Sequence, residues 1–229
     1  MINKSIVLLS GGMDSLVTAA IAAKESDEVY FLHINYRQKT QERELKSFSQ
    51  ISDFYKPKNT LIIDIDYLAK IGGSSLTDKG MRVKDYVEAN DVVPDSYVPF
   101  RNGNLLAIAT SWGEVIGANR IYLGAVEEDS SGYPDCRESF YTAYQKTIDM
   151  GTKDETKIKI ITPIIHMKKS KIIAMGNKLG TPFEYSWSCY KENEEACGVC
   201  DSCHLRINAF KEAGLKDPIP YKIKIDWGK

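Results

Sequence analysis

A glycine-rich loop near the start of the chain carries residue types that bind phosphate. The sequence SGGMDS at positions 10–15 follows an apolar run and precedes a helical pattern. Its glycines let the backbone approach a phosphate closely, and the free N–H groups at a helix N-terminus attract anions. The hydroxyls of Ser10 and Ser15 could donate to phosphate oxygens, whereas the carboxylate of Asp14 needs a Mg²⁺ ion between itself and the phosphates. The loop predicts a nucleotide site formed by Leu9, Ser10, Gly11, Gly12, Met13, Asp14 and Ser15. A plain Gly-Gly turn in which Asp14 caps the helix is the alternative.

Four of the five cysteines stand close together near the C-terminus, in the pattern C-x7-C-x2-C-x2-C. A C-x2-C pair brings two thiolates to one ion from a single tight turn, and four thiolates at the corners of a tetrahedron suit a structural Zn²⁺ site. The pattern predicts zinc ligands at Cys189, Cys197, Cys200 and Cys203. An iron–sulfur cluster takes the same four thiolates and stays an alternative, as do free or redox-active cysteines.

The fifth cysteine, Cys136, lies apart from the others in the segment GYPDCR at positions 132–137. A thiol in a loop that meets substrate could act as a nucleophile. A single cysteine is also a common small packing residue. We favour the packing interpretation.

Apolar patterns predict an alternation of strands and helices along most of the chain. The predicted strands are Ser5–Leu9, Glu28–Ile34, Thr60–Ile65, Arg120–Ala125 and Lys157–Ile161. The predicted helices are Ser15–Lys24, Thr40–Tyr55, Asn102–Gly117, Glu138–Gly151, Ser170–Gly180 and a short one near Leu205–Ala213. This alternation is typical of an α/β fold with a parallel sheet flanked by helices. The stretch Lys70–Ser96 is less regular, and we interpret it as an excursion from the sheet that forms a mobile flap.

The bulk composition excludes several classes of protein. The 229 residues carry 30 basic and 31 acidic side chains, a net charge of -1, so the totals show no basic excess of the kind that nucleic-acid binders have. No apolar run reaches the roughly 18 residues of a membrane span. The N-terminus lacks the cleavage site of a signal peptide. We therefore expect a cytoplasmic protein that binds neither membrane nor nucleic acid.

Several segments together resemble known families. The SGGMDS loop is similar to the SGG-x-DS signature of the PP-loop pyrophosphatase superfamily, whose fold is adenine nucleotide alpha hydrolase-like and Rossmann-like. Four further segments resemble the 7-cyano-7-deazaguanine (preQ0) synthase family of the queuosine and archaeosine pathways: Val98–Asn102, Glu127–Arg137, Trp187–Tyr190 and Cys197–Cys203. The resemblance extends from the first strand to about Tyr221. Phe100 departs from it, because a small residue is expected before Arg101.

The resemblance implies a PP-loop nucleotide-binding catalytic domain over residues 1–186 and a small C-terminal zinc-binding module over residues 187–229. It implies that the carboxylate of 7-carboxy-7-deazaguanine attacks the α-phosphate of ATP, that ammonia displaces AMP to form an amide, and that a second ATP drives conversion to the nitrile. Its cofactors would be ATP, Mg²⁺ and Zn²⁺. Free ammonia is the expected nitrogen donor, because the sequence shows no glutaminase-like segment with a Cys–His pair. The family also implies a homodimer.

Particular residues can be matched to this chemistry. The resemblance implies catalytic roles for Asp14, Arg101 and Lys169, and substrate contacts for Glu127, Tyr133, Asp135 and Arg137. The carboxylate of Asp135 or Glu127 could accept from the guanine-like N1–H and amino groups, and Arg137 could face the substrate carboxylate. Arg101 and Lys169 could instead be solvated surface residues. Asp135 could form only a turn, and Tyr133 and Trp187 could be core aromatics rather than stacking faces.

Three other functions compete with this one. A tRNA-modifying enzyme, such as a tRNA-thiolating enzyme, would adenylate a base but would need an RNA-binding domain or a basic face. An ammonia-using synthetase could stop at the amide. A binding protein with a degenerate nucleotide loop could carry the same cysteines, although the intact SGGMDS run argues against it.

Overall fold

The computed structural model describes residues 2–87, 93–127 and 132–228. Within them, five parallel strands form one sheet in the order β3-β2-β1-β4-β5. The strands are β1 Lys4–Leu8, β2 Glu28–Asn35, β3 Asn59–Asp64, β4 Arg120–Leu123 and β5 Lys159–Ile161. The first three strands build the sheet in one direction from β1, and the last two build it in the other. A ligand is expected where the direction reverses, beyond the carboxyl ends of β1 and β4.

Helices cover both faces of the sheet. They are α1 Met13–Glu25, α2 Gln41–Tyr55, α3 Tyr67–Ile71, α4 Arg101–Ile116, α5 Glu138–Gly151, α6 Lys169–Lys178 and α7 Asp201–Glu212. One hydrophobic cluster joins alternate strand residues such as Leu8 and Leu32 to Leu106 of α4 and Tyr141 of α5. The other joins the opposite strand residues to α1, α2, α6 and α7. Both faces of the central strands β1, β2 and β4 are largely buried, because helices lie on each side, and these strands are rich in apolar residues. The edge strands β3 and β5 are more exposed.

The predicted parallel sheet flanked by helices is confirmed, with element ends displaced by a few residues. Two displacements concern the site: α4 begins at Arg101 and α6 at Lys169, so each cation lies in the first turn of its helix. The short helix α3 has no counterpart in the sequence prediction. No helix in the described part of the chain combines the length and the apolar character needed to cross a membrane.

The irregular stretch 70–96 is tied to the C-terminal segment where the structure describes it. Asp85 forms an antiparallel bridge with Cys200, and the backbone N–H of Tyr86 donates to the carbonyl of Val199 at 2.8 Å. The ring of Tyr86 stacks on His204 with the centroids 3.6 Å apart. Residues 88–92 of the predicted flap lie outside the described residues, and its mobility stays a prediction.

Candidate active site

The loop at positions 10–15 joins β1 to α1 in a conformation that requires glycine at position 11. Gly11 has φ +90°, and a Cβ there would lie 2.9 Å from the backbone oxygen of Glu44. The hydroxyl of Ser15 donates to the carbonyl of Gly12 at 2.9 Å, and Ser10 Oγ donates to Ser15 Oγ at 3.1 Å. The backbone is thus held with the N-terminus of α1 at the cavity. Among the described residues, no side chain caps that end of α1, so its N–H groups can meet an anion.

The loop contacts the neighbouring strand end at close range. Gly124 follows β4, and a Cβ at that position would lie 2.8 Å from the backbone of Asp14 and Ser15. The close approach needs glycine and brings the ends of β1 and β4 together around one cavity.

A charged pair lies at the first turns of two helices. Lys169 Nζ is 2.9 Å from Asp14 Oδ2, and the two side chains are 9% and 25% exposed. The second oxygen of that carboxylate, Asp14 Oδ1, is buried and has no hydrogen-bond partner among the described residues. A buried acceptor without a donor is costly, so this oxygen is suited to a cation or a ligand donor.

A cavity of about 250 Å³ lies over this pair at the carboxyl edge of the sheet. One part of the lining, which we name the phosphate-binding half after the ligand that its residue types suit, is formed by the 10–15 loop, the residues after β4 and Lys169. The rest of the lining, which we name the aromatic half, includes four aromatic residues: Tyr36, Tyr133, Trp187 and Tyr190. Flat aromatic walls beside a phosphate site suit a planar heterocycle.

Arg101 is held by tyrosines of the aromatic half. Its Nη1 donates to the hydroxyl of Tyr36 at 2.8 Å, and its guanidinium lies 5.4 Å from the ring centre of Tyr36 and 5.9 Å from that of Tyr133. Burial raises the pKa of Tyr36 to about 12, so this hydroxyl stays neutral. The arrangement fixes the cation at the cavity wall without neutralising its charge.

The structure explains how Phe100 is accommodated before Arg101, where the family resemblance leads us to expect a small residue. Phe100 has φ +55°, in the left-handed region that favours glycine. Its ring packs against Phe140 at a centroid distance of 5.8 Å, and a Cβ on Gly103 would lie 2.4 Å from the same ring. The backbone turn that presents Arg101 is therefore made here by a large residue, with glycine placed one helical turn later to receive its ring.

The structure brings one of the four expected substrate residues to the cavity wall. Tyr133 lines the cavity and donates its hydroxyl to Ser96 Oγ at 2.9 Å. Glu127, Asp135 and Arg137 are not part of the cavity lining as the structure describes it. Residues 128–131 of the same segment lie outside the described residues.

The carboxylate of Asp135 lies beneath the start of α4. Its Oδ2 accepts from the backbone N–H of Asn102 at 2.8 Å, and burial raises its pKa. Glu127 Oε2 accepts from the backbone N–H of Glu138 at 2.9 Å, at the start of α5. Both carboxylates thus satisfy helix N-termini.

Sequence reasoning missed another carboxylate, on α2. Glu44 lines the cavity, where it accepts from Thr40 Oγ1 at 2.8 Å and from Gln38 Nε2 at 3.0 Å. Burial raises the pKa of Glu44, and the hydrogen bonds from Thr40 and Gln38 and the charge of Arg101 partly oppose that rise. The sequence held no usable signal for it, because the position looks like one of several charged residues on an amphipathic helix.

Cys136 also lies at the cavity wall, as a neutral thiol. Its Sγ lies 3.5 Å from Asn102 Nδ2. Burial, together with the charge of Asp135, raises the pKa of Cys136 to about 11. The thiolate is the nucleophilic form, so this environment favours packing over nucleophilic catalysis.

The four clustered cysteines meet at one buried point. Their Sγ atoms all lie within 4.8 Å of one another, and those of Cys197 and Cys203 are 3.9 Å apart. Thiolates at about 2.3 Å from a tetrahedral zinc ion would be about 3.8 Å apart, so the cluster could hold a metal such as zinc. Backbone N–H groups of Lys191 and Cys197 donate to Cys189 Sγ, each at 3.4 Å. Hydrogen bonds from the thiols of Cys200 and Cys203 and from these N–H groups lower the pKa of Cys189.

The cysteine segment forms one wall of the cavity. Tyr190 follows Cys189, Ser202 precedes Cys203, and both residues line the cavity. Trp187 donates its backbone N–H to the carbonyl of Gly11 at 2.8 Å, which joins this wall to the phosphate-binding half. Its ring also lies 4.4 Å from the guanidinium carbon of Arg43.

A buried ion pair, which the sequence did not reveal, anchors the end of the chain. Arg206 donates from Nε and Nη2 to the two carboxylate oxygens of Asp217 at 2.6 and 2.9 Å, and their side chains are 1% and 0% exposed. The same arginine donates to Ser186 Oγ, and Tyr221 donates to Asp217. A bidentate pair whose other polar partners are also satisfied holds its geometry tightly.

Comparisons with known proteins agree with this geometry. A family model described as "Queuosine biosynthesis protein QueC" matches residues 4–214. Two relatives named 7-cyano-7-deazaguanine synthase, from Chloroherpeton thalassium and Chlorobium chlorochromatii, are 56% and 55% identical over 221 residues. Those matches cover 96% of this chain and 98% and 97% of the relatives.

Among solved structures, a "predicted subunit of tRNA methyltransferase" from Methanocaldococcus jannaschii superposes with a TM-score of 0.50. It is 13% identical to this chain, and the match covers 96% of this chain and 92% of that one. At that identity the likeness shows the fold alone.

Proposed function

The chain belongs to the QueC family of queuosine biosynthesis proteins, and we propose that it converts 7-carboxy-7-deazaguanine and ammonia to 7-cyano-7-deazaguanine at the expense of ATP. Relatives that share more than half of their residues with this chain, over nearly their whole length, carry that name. The family resemblance read from the sequence is thereby confirmed. The chain is an ATP-dependent enzyme of this family.

One structural observation links the proposed reaction to the candidate active site. A single cavity joins a phosphate-binding half to an aromatic half, where Arg101 lies against Tyr36 and Tyr133. Adenylation of a heterocyclic carboxylate needs both halves, because its carboxylate oxygen must reach the α-phosphate of ATP. Holding the two reactants in one cavity turns a bimolecular step into an effectively unimolecular one.

The reaction then proceeds in two activations. The substrate carboxylate attacks the α-phosphorus, the bond to the bridging oxygen breaks, and pyrophosphate leaves. Ammonia adds to the acyl-adenylate carbonyl, AMP leaves, and a proton is lost to give the amide. The amide oxygen then attacks the α-phosphorus of a second ATP, and pyrophosphate leaves. Loss of the two amide N–H protons and departure of AMP, which carries away the amide oxygen, leave the nitrile.

The residues of the phosphate-binding half supply charge stabilisation. The N–H groups at the start of α1 and the hydroxyls of the loop would bind the pyrophosphate oxygens. Lys169 and Arg101 would neutralise negative charge as it develops on the leaving group. The buried oxygen Asp14 Oδ1, which lacks a donor among the described residues, fits a Mg²⁺ ligand. A bound Mg²⁺ would supply further neutralisation of the phosphates.

The cysteine cluster would hold Zn²⁺ in a structural role. Four buried thiols at near-tetrahedral spacing fill a closed ligand shell and leave no position for substrate. The metal would hold together the wall that carries Tyr190 and Ser202. Residues 187–229 would thus form a zinc module that completes the cavity of the catalytic part, residues 1–186.

We further propose a cytoplasmic homodimer without a nucleic-acid partner. The near-neutral net charge supports the absence of a nucleic-acid partner. The compartment suits reduced cysteines that are available for metal. Analytical ultracentrifugation of the zinc-loaded protein would measure the oligomeric state.

The test of the proposed function is mass spectrometry of a reaction that contains the purified zinc-loaded protein, ATP, Mg²⁺, ammonia and 7-carboxy-7-deazaguanine. The expected products are the nitrile and AMP. Accumulation of the amide without nitrile would show that the enzyme carries out only the first of the two activations. Absence of turnover, with zinc content verified, would refute the substrate assignment.

A further inference from the structure

The carboxylate of Glu44 is one of two that line the cavity in the described part of the chain, and the other is Asp14. Asp14 is paired with Lys169 in the phosphate-binding half. Glu44 comes from α2 and lines the cavity together with Arg101 and Tyr36. The backbone of Glu44 faces Gly11 of the 10–15 loop, and the charge of its carboxylate acts on Arg101 and Tyr36. Of the two carboxylates, Glu44 is therefore the one without a lysine partner among the described residues.

The carboxylate of Glu44 is oriented by hydrogen bonds that occupy only part of its acceptor positions. Its two oxygens accept one hydrogen bond each, from Thr40 and from Gln38. A carboxylate has about four acceptor positions, so two stay available for further donors. Gln38 is itself fixed, because its Oε1 accepts from the backbone N–H of Tyr36 at 2.9 Å. The carboxylate is thus preoriented by its neighbours.

The reaction brings two heterocycles to the cavity, the adenine of ATP and the deazaguanine of the substrate. Their hydrogen-bonding groups decide which one this carboxylate would bind. A guanine-type edge presents two adjacent donors, the N1–H and the 2-amino group, and a carboxylate offers only acceptors. An adenine edge presents one donor beside an acceptor nitrogen, which a carboxylate would repel. Two parallel charge-assisted hydrogen bonds favour the guanine-type edge.

We propose that Glu44 binds the N1–H and 2-amino edge of the deazaguanine substrate and sets the specificity for that base. The inference rests on the proposed function and gives the substrate pocket its recognition residue. The carboxylates suggested by the sequence, Glu127 and Asp135, each accept from a helix N-terminus instead. The rings of Tyr133 and Tyr190 would stack on the heterocycle.

The test compares two ligands across two proteins. Isothermal calorimetry measures the Kd of 7-carboxy-7-deazaguanine and of the analogue in which hydrogen replaces the 2-amino group. Wild-type protein is expected to bind the analogue about tenfold more weakly. Glu44→Gln is expected to bind the true substrate about 100-fold more weakly and to lose most of the preference for the 2-amino group. A purely structural role would weaken both ligands equally and leave the ratio unchanged.

Matched controls separate the effect of losing the Glu44 carboxylate from other effects of the substitution. Glu42→Gln makes the same change on the same helix at an exposed position, and it should keep wild-type affinity and preference. Binding of a non-hydrolysable ATP analogue to Glu44→Gln should stay within about twofold of wild type. Zinc content and melting temperature report the fold of each variant. If Glu44→Gln does not fold, Glu44→Asp keeps the charge and should retain the 2-amino preference at reduced affinity.

Two results would overturn the inference. An unchanged 2-amino preference in Glu44→Gln would place the recognition elsewhere. A loss of affinity for the ATP analogue that exceeds the loss for the substrate would assign Glu44 to the nucleotide. Either result leaves the proposed function standing if wild-type protein forms the nitrile, so the two failures are distinguishable.

Discussion

Lys169 and Asp14 meet at a distance of 2.9 Å although 155 positions separate them in the chain. Each stands in the first turn of a helix that packs on the same face of the sheet. The contact places a cation at the loop where phosphates would bind, and it leaves the buried Asp14 Oδ1 without a hydrogen-bond partner among the described residues.

Replacing Lys169 tests whether this cation acts on the transition state. Lys169→Met is expected to lower kcat by about 10²–10³-fold, because one preorganised charge is lost from the developing pyrophosphate. The affinity for a non-hydrolysable ATP analogue should change much less. Steady-state assays of AMP release measure kcat, calorimetry measures the affinity for the analogue, and Lys171→Met in the same helix is the control. An equal loss of kcat in the control variant would contradict the assignment.

The cysteine cluster predicts a metal-dependent cavity wall. Cys200→Ser should lose the bound zinc and destabilise the protein, because metal binding to such sites contributes folding free energy directly. Plasma mass spectrometry measures the metal, and calorimetry measures the melting temperature. Cys136→Ser should keep both values near wild type. Full zinc content in Cys200→Ser would contradict the four-thiolate site.

The buried pair of Arg206 and Asp217 predicts a large cost for breaking it. Asp217→Asn should lower the free energy of unfolding by about 3–5 kcal/mol, because it leaves the charge of Arg206 buried without compensation. Urea titrations of the zinc-loaded protein measure this change. The double variant Arg206→Met with Asp217→Leu should recover much of the loss, since neither charge remains. A double variant less stable than Asp217→Asn would contradict this account.

Two variants separate the effect of the left-handed backbone at Phe100 on stability from the effect of its side chain. Phe100→Gly should be more stable than Phe100→Ala by about 1 kcal/mol, because only glycine adopts φ +55° without steric cost. Chemical denaturation compares the two. Ala107→Gly, at an exposed position inside α4, should show the opposite sign, with glycine less stable. Equal stability of the two Phe100 variants would mean that no backbone strain is present.

The raised pKa of Cys136 predicts slow alkylation at neutral pH. A shift from 9.0 to about 11 leaves roughly a hundredfold less thiolate near pH 7 than an ordinary cysteine has. The rate of modification by iodoacetamide should rise about tenfold per pH unit until the pH approaches 11. Peptide mass spectrometry follows this residue, with Cys136→Ser as the blank. Fast alkylation at neutral pH would show an activated thiol.

Local sequence was enough to predict several parts of the protein. The strand and helix pattern depends on side-chain periodicity, and it reproduced the five strands and the six predicted helices within a few residues. The SGGMDS loop and the C-x2-C spacings are likewise local, because neighbouring residues supply the whole motif. The unpredicted α3 has only five residues, too few for a periodic signal.

Tertiary structure decided which distant residues share the cavity. Strand order brought Lys169 to Asp14, and helix packing put Glu44 on the cavity wall while placing Asp135 under α4. The pairing of Arg206 with Asp217 likewise arose between a helix and the chain end beyond it. None of these contacts has a spacing rule in sequence, because each depends on how separate elements pack. The sequence by itself therefore determined the local motifs and the fold class, and the packed structure determined which charged residues line the cavity.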